Sequence, residues 1–228
     1  MSVISNLGRR AARNSMDSFE QLVEAVRSCS PEQKQRLFSE IRDSILIHKL
    51  EETFSVRAEV ILEAISRSPD LTQRGIRGLI AECVFVIEII PTLQGWRNEP
   101  PVGDVSYDAH LRKGDRGVRV QVKTQRRKAG QPMMQDGAYI VEVQRTRGGL
   151  KNGVKTRPYR FGEFDLLAVC MWASTGDWRS FMYIPATGLV ADKQDKSVIK
   201  TLQAVPDYKD GDHDVWTKSL STALERVG

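Results

Sequence analysis

Asp108, Gln121 and Lys123 are the residues whose types and spacing invite chemistry. They lie in VSYDAHLRKGDRGVRVQVKTQ, Val105 to Gln125. Gly114-Asp115, at the centre of this stretch, is a two-residue hairpin turn of the kind that needs glycine first. Folded there, Leu111 faces Val118, Ala109 faces Val120 and Tyr107 faces Val122, and with Val105 these make an apolar face. Strand side chains alternate, so Ser106, Asp108 and His110 share the other face with Arg119, Gln121, Lys123 and Gln125. Asp108 then lies opposite Gln121 with Lys123 two residues along. A carboxylate, an amide oxygen and an ammonium meet within one cross-strand diagonal of roughly 5–8 Å. Such a cluster sets oxygen ligands beside a positive charge. An ordinary amphipathic hairpin with a solvated face accounts for the same pattern.

Other elements must hold this hairpin in place. Thr72 to Ile90, opening after Ser68-Pro69-Asp70, has helical spacing in Ile76, Leu79, Ile80, Cys83, Val84 and Ile87. Phe85, Val86, Ile89 and Ile90 extend its apolar surface nearly all round, which predicts a helix buried on most sides. Glu82 sits in its middle, and a carboxylate there needs a partner because a buried unpaired charge is costly. Arg77 or Arg119 would serve. Strands are expected at Val105–Leu111, Val118–Thr124, Ala138–Gln144, Asp165–Trp172 and Arg179–Pro185, with a long basic loop, TRGGLKNGVKTRPYR, after the third. Upstream, Ser18 to Arg67 reads as helices: Phe19, Leu22, Val23 and Val26 make one stripe, and Ser30-Pro31-Glu32-Gln33 is an N-cap with proline in the first turn. A last helix is expected from Asp214, as N-cap, to Val227. Trp172, Trp178 and Tyr183 read as packing residues.

The 228 residues, 40% hydrophobic and 28% charged, suit a soluble, cytoplasmic globular protein. The longest apolar run, around Cys83 to Pro91, is too short to span a bilayer, and Met1 to Arg10 holds no apolar run of signal-peptide length. Cys29, Cys83 and Cys170 are odd in number and far apart, with no CxxC pair. That argues against a structural zinc site, and the apolar surroundings of Cys83 and Cys170 predict reduced core thiols. The net charge of +5 is unevenly spread: Arg112 to Arg160 holds fourteen Lys and Arg against three acids, so the remainder is net negative. A basic middle in an acidic chain points to a polyanion partner.

Glu82 on a helix, Asp108 on the first strand of a hairpin and Gln121-Val122-Lys123 on its second resemble the PD-(D/E)XK nuclease superfamily, the fold of most type II restriction enzymes and of archaeal Holliday-junction resolvases. YRFGEFDLLAV and FMYIPA, within Tyr159 to Ala186, look like that family's continuing strands. The resemblance covers about Leu71 to Ala186 and departs from the pattern twice. No Pro-Asp dipeptide precedes the hairpin acid, and Gln121 stands where a carboxylate is common, which favours one cation over two.

The resemblance implies an α/β (α+β) fold: a restriction-endonuclease-like mixed β-sheet core flanked by helices over 69–190, a basic loop at 145–160, an N-terminal helical region over 1–68 and a C-terminal extension over 191–228. It implies a Mg²⁺-dependent endodeoxyribonuclease, with Mn²⁺ able to substitute. Asp108, Gln121 and Glu82 would hold the metal through oxygen, and Lys123 would sit beside the attacking water. Double-stranded DNA would be the partner, and a homodimer would supply two sites for duplex cleavage. Arg126, Arg127, Lys128, Arg145, Arg147, Lys151, Asn152, Lys155, Arg157 and Arg160 are the expected phosphate or base contacts. Asp104 is the second choice for the first ligand. Glu142, Glu163 and Asp165 read as structural, and His110 as an ordinary polar contact. A site-specific, restriction-like enzyme is the leading expectation. The alternatives are a structure-selective or other defence nuclease, and a DNA-binding protein whose nuclease site has degraded.

Overall fold

The computed structural model describes residues 18–103, 105–146, 148, 150–151, 154–155 and 157–227, and of 150–151 and 154–155 the backbone alone. Asp104, Arg147 and Asn152, named above, lie outside the described residues. The chain divides into two units, Met1–Ser68 and Pro69–Gly228.

The first unit is helical: α1 (residues 18–28), α2 (Pro31–Arg42), α3 (Leu50–Phe54) and α4 (Ala58–Ser66). Ser30 caps α2 as its sequence predicts. Its hydroxyl accepts the Gln33 N–H while the Gln33 side chain accepts the Ser30 N–H, a capping box with proline in the first turn. The interior of this unit is polar. Buried Glu51 accepts backbone N–H groups from Ile47 at 2.7 Å and Ala58 at 2.6 Å, and it is paired with buried Arg42. No apolar side chain among its described residues is buried, and Phe38, Ile41, Ile45, Phe54 and Val60 stand exposed.

The second unit contains strands β1 (Arg97–Asn98), β2 (Ala109–Lys113), β3 (Arg116–Thr124), β4 (Ala138–Glu142), β5 (Leu166–Cys170), β6 (Phe181–Pro185) and β7 (Leu202–Val205). Its helices are α5 (Asp70–Val84), the single turn α6 (Trp172–Thr175) and α7 (Leu220–Arg226). The central sheet runs β1-β2-β3-β5-β6. All neighbours are antiparallel except β3 and β5. This is a mixed α/β arrangement, a mixed sheet with helices flanking it.

The hairpin forms in the register its turn dictates. Ala109 pairs with Val120, Leu111 with Val118 and Lys113 with Arg116, and Gly114 takes the positive φ of 59° that a side chain disfavours. Val118, Val120 and Val122 face a core shared with Ala81 and Phe85, with Leu166, Ala168 and Phe181 of the neighbouring strands, and with Leu220 and Leu224 of α7. The other face is not solvated, as an amphipathic hairpin would have it. Val141 and Val143, beside Val205 of β7, pack on Leu167, Val169, Met182 and Ile184, and this second layer leaves Gln121 only 1% exposed. β7 pairs with β4, and α7 closes the first layer, so residues 191–228 belong to the same compact unit as the sheet.

Several boundaries differ from the sequence reading. β2 begins at Ala109, because the chain from Val105 leaves the ladder. The helix from Asp70 is α-helical only to Val84 and continues through a π turn, Phe85–Ile89, and a 3-10 turn, Ile90–Thr92. It is buried on one side rather than most sides: Leu79, Ile80, Cys83 and Ile87 face outward. Cys83 is therefore not a core thiol, whereas Cys170 is buried. The last helix is capped by Ser219, not Asp214. No described helix is long and apolar enough to cross a membrane.

Candidate functional site

Asp108 sits immediately before β2 begins. Its backbone N–H donates to the Val120 carbonyl at 2.9 Å, and its carboxylate accepts the Val122 N–H at 2.7 Å. The side chain thus supplies the acceptor that the next residue pair of the ladder would have supplied. The same oxygen, Oδ2, accepts Nε2 of Gln121. Gln121 also donates to the Val122 carbonyl at 3.2 Å, and its oxygen accepts the Tyr159 hydroxyl at 3.0 Å. Acid and amide are therefore brought together as the hairpin register predicts. The amide, however, presents nitrogen to the acid and oxygen to Tyr159.

Glu82 lies on α5, one residue from buried Ala81. It shares an electrostatic neighbourhood with Asp108 and Lys123. Neither expected partner reaches it. Arg77 pairs with Asp70 at 3.1 Å. Arg119 clamps Asp165 with Nη2 at 2.7 Å, Nε at 2.9 Å and its own backbone N–H at 2.8 Å. Glu82 makes no hydrogen bond or ion pair with a described residue. Burial pushes its carboxyl up to about 7; the Asp108 charge adds to the rise and Lys123 opposes it. Burial also raises Asp108, against Lys123 and the two donors on its carboxylate. Lys123 is lowered by burial, and by Arg145 beside it, while both acids pull it back up.

Tyr159 lies behind this group. It is 4% exposed, its ring stands edge-on to Phe164, and the Lys123 Nζ and Arg145 Cζ lie 5.6 and 5.1 Å from its centroid. Arg145 donates to Ser106 Oγ at 2.8 Å and pairs with Glu163 at 2.7 Å. The site therefore spans α5, the β2–β3 hairpin and the chain entering β5. Sequence reasoning missed the role of Tyr159. The available signal was a phenol at the end of the basic loop, a few residues before a strand that runs parallel to β3.

The remaining basic residues are spread out. Arg126 pairs with Glu142 at 2.9 Å. Arg127 donates to the Gly130 carbonyl and lies 5.1 Å over the Trp172 ring, which stacks on Trp178. Arg157 donates to the Arg145 carbonyl at 3.2 Å, and Arg160 pairs with Asp195 at 3.2 Å. Lys128 is exposed. Lys151 and Lys155 fall in a two-strand ribbon, Leu150–Lys151 with Val154–Lys155. Asp165, read as structural, is the partner of Arg119. His110 lies 3.9 Å from Glu99 and edge-on to Tyr107.

No family model matches the sequence, and no curated protein does. Among solved structures the chain is similar to a bacterial homing endonuclease, I-Ssp6803I, at 23% identity, over 54% of this chain and 82% of that one, with a TM-score of 0.36. A superposition that loose transfers no residue role.

Among the described residues no three His, Cys, Asp or Glu side chains converge as a metal cluster. The oxygen set that fits a hard cation is smaller: the Glu82 carboxylate, the Asp108 oxygen that accepts no hydrogen bond from a described residue, and the Gln121 amide if its oxygen turns inward. Two neighbouring acids whose charged forms are both disfavoured by burial are relieved by a cation between them, so the donor chemistry fits Mg²⁺ or Mn²⁺.

Proposed function

We propose that this chain is a metal-dependent endodeoxyribonuclease of the PD-(D/E)XK kind, cutting double-stranded DNA. The observation that carries this reading is the meeting of Glu82, Asp108 and Lys123: two acids lifted by burial beside a lysine lowered by it, with no ion-pair partner of their own for Glu82. Asp108 and Glu82, with Gln121, would hold the ion, which supplies Lewis acidity and a more acidic bound water. Lys123, held over the Tyr159 ring, donates to the oxygen that gains charge at phosphorus. Arg145, beside the same ring, neutralises a phosphate brought up to the acids. The finer reading is a site-specific, restriction-like enzyme working as a homodimer. The basic stretch Arg112 to Arg160 supports contact with DNA, and cutting both strands calls for two sites.

One observation favours a second reading, a DNA-binding protein with a degraded site: the Gln121 oxygen is engaged by Tyr159 rather than turned to Asp108. Supercoiled plasmid incubated with the purified full chain, with Mg²⁺, with Mn²⁺ and with EDTA, separates the two. Conversion to nicked or linear DNA only with a cation, lost in Lys123→Ala, supports the nuclease, and sequencing of the ends tests site specificity. Binding without conversion under any cation supports the second reading.

A further inference from the structure

Gln121 is enclosed, and its amide must choose which end faces Asp108. An ionised carboxylate only accepts hydrogen bonds, so without a cation the NH₂ end must face it, as it does. A cation held on Asp108 reverses that demand, because it needs oxygen. A half-turn of the amide supplies the oxygen and moves the NH₂ to where the oxygen was, against the Tyr159 hydroxyl. In that position the amide loses its 3.2 Å contact with the Val122 carbonyl. It stays paired only if its new neighbour can accept.

A phenol can. Its hydroxyl donates to an amide oxygen or accepts from an amide nitrogen, whereas an ammonium or guanidinium only donates and a carboxylate only accepts. Burial raises the Tyr159 phenol far above its ordinary range, with the Asp108 charge adding to the rise, Arg145 opposing it and Glu163 and Glu82 adding less. The ring cannot move away, being wedged against Phe164 and flanked by Lys123 and Arg145.

We propose that Tyr159 is a positioning residue for cation binding: through the Gln121 amide, its hydroxyl serves as the reversible partner that lets the amide turn its oxygen toward Asp108. The inference rests on the nuclease reading given above. Once the oxygen is bound to a cation the amide NH₂ is a stronger donor, so the hydroxyl contributes more with the ion than without it.

The test is a double-mutant cycle in the full chain, read by Mn²⁺ binding in the absence of DNA, by paramagnetic resonance of the free ion. Tyr159→Phe is expected to weaken Mn²⁺ binding about fivefold, the worth of one hydrogen bond. In a Gln121→Glu background, where the side chain offers oxygen in either orientation, the same change is expected to weaken binding by less than about twofold. Thermal melting of each variant shows that it is folded, and a Tyr159→Phe chain that fails to fold is replaced by Tyr159→Leu, which also lacks the hydroxyl and is smaller, with the same readout. Equal losses in both backgrounds, or no loss in either, overturn the proposal while leaving the nuclease reading in place. No Mn²⁺ binding by the native chain overturns that reading, and this inference with it.

Discussion

Val122 donates its backbone N–H to the Asp108 carboxylate at 2.7 Å, where a continuing strand would have offered a carbonyl. The acid is consequently placed by the main chain of β3 and not by its own rotamer alone. It is also part of what holds the hairpin's open end together. Asp108→Ala leaves both Val122 N–H and Gln121 Nε2 without their acceptor and is expected to cost about 1–3 kcal/mol. Asp108→Asn keeps one accepting oxygen and is expected to cost less than half as much. Both should lose Mn²⁺ binding. Urea denaturation monitored alongside metal binding checks the two effects separately.

Glu82 gives the fold a pH dependence of defined sign. Its folded pKa of about 7 lies above the ordinary 4.5, so the folded state binds the proton more tightly and stability falls as pH rises between those values. The full penalty applies above pH 7 and vanishes below about pH 4.5. Solvent reaches the side chain, which holds the effect to the order of 1 kcal/mol. With EDTA present, Glu82→Gln should melt higher than the native chain at pH 8.5 and together with it at pH 4.5. An equal shift at both pH values would mean that burial does not disfavour the charged form.

The same titration governs cation capture. Both acids are raised; lowering the pH through about 7 protonates Glu82, and divalent ions must compete with that proton. Mn²⁺ affinity is expected to fall about tenfold per pH unit below that point and to level off above it. Isothermal titration from pH 5.5 to 8.5 measures the slope, and a flat profile would count against Glu82 as a ligand.

Lys123→Met removes the ammonium while keeping a long apolar stem over Tyr159. Plasmid cleavage is expected to fall about 10²–10³-fold, the usual size for one lost donor to developing charge. DNA binding in Ca²⁺, read by gel shift, should change by less than about fivefold, since one phosphate contact at most is lost.

Asp165 is the control acid. Arg119 grips it through two guanidinium nitrogens and a backbone N–H, far from free carboxylate behaviour. Asp165→Asn should destabilise the chain by about 1–2 kcal/mol and leave the cation requirement of cleavage unchanged. Denaturation and a Mg²⁺ titration of nicking decide it.

The hairpin register could be read from the sequence because its information is local: a glycine that tolerates positive φ, and valines alternating on one face. Where β2 begins could not be read, since the side chain of Asp108 and a carbonyl are interchangeable acceptors for the Val122 N–H. Nor could the burial of Gln121, which depends on Val141, Val143 and Val205 arriving from distant sequence to cover the second face. Glu82 was legible as an acid needing a partner, but its assignment to Arg77 or Arg119 failed because Asp70 and Asp165 claim those cations. Tyr159 was invisible for the same non-local reason. Its hydroxyl matters only because an amide 38 residues earlier lies within 3.0 Å.

The π turn at Phe85–Ile89 means that the helix carries one residue more than regular winding would need to bring Phe85 and Ile90 to the same face. The rest of α5 is phased by that surplus. Excising a single residue from the turn would restore an uninterrupted α-helix and swing Glu82 about 100° around the axis relative to the sheet. The acid would then point away from Asp108 with no change to its own identity. On the proposed reading, a deletion there would abolish cation binding without altering any of the residues assigned to the site.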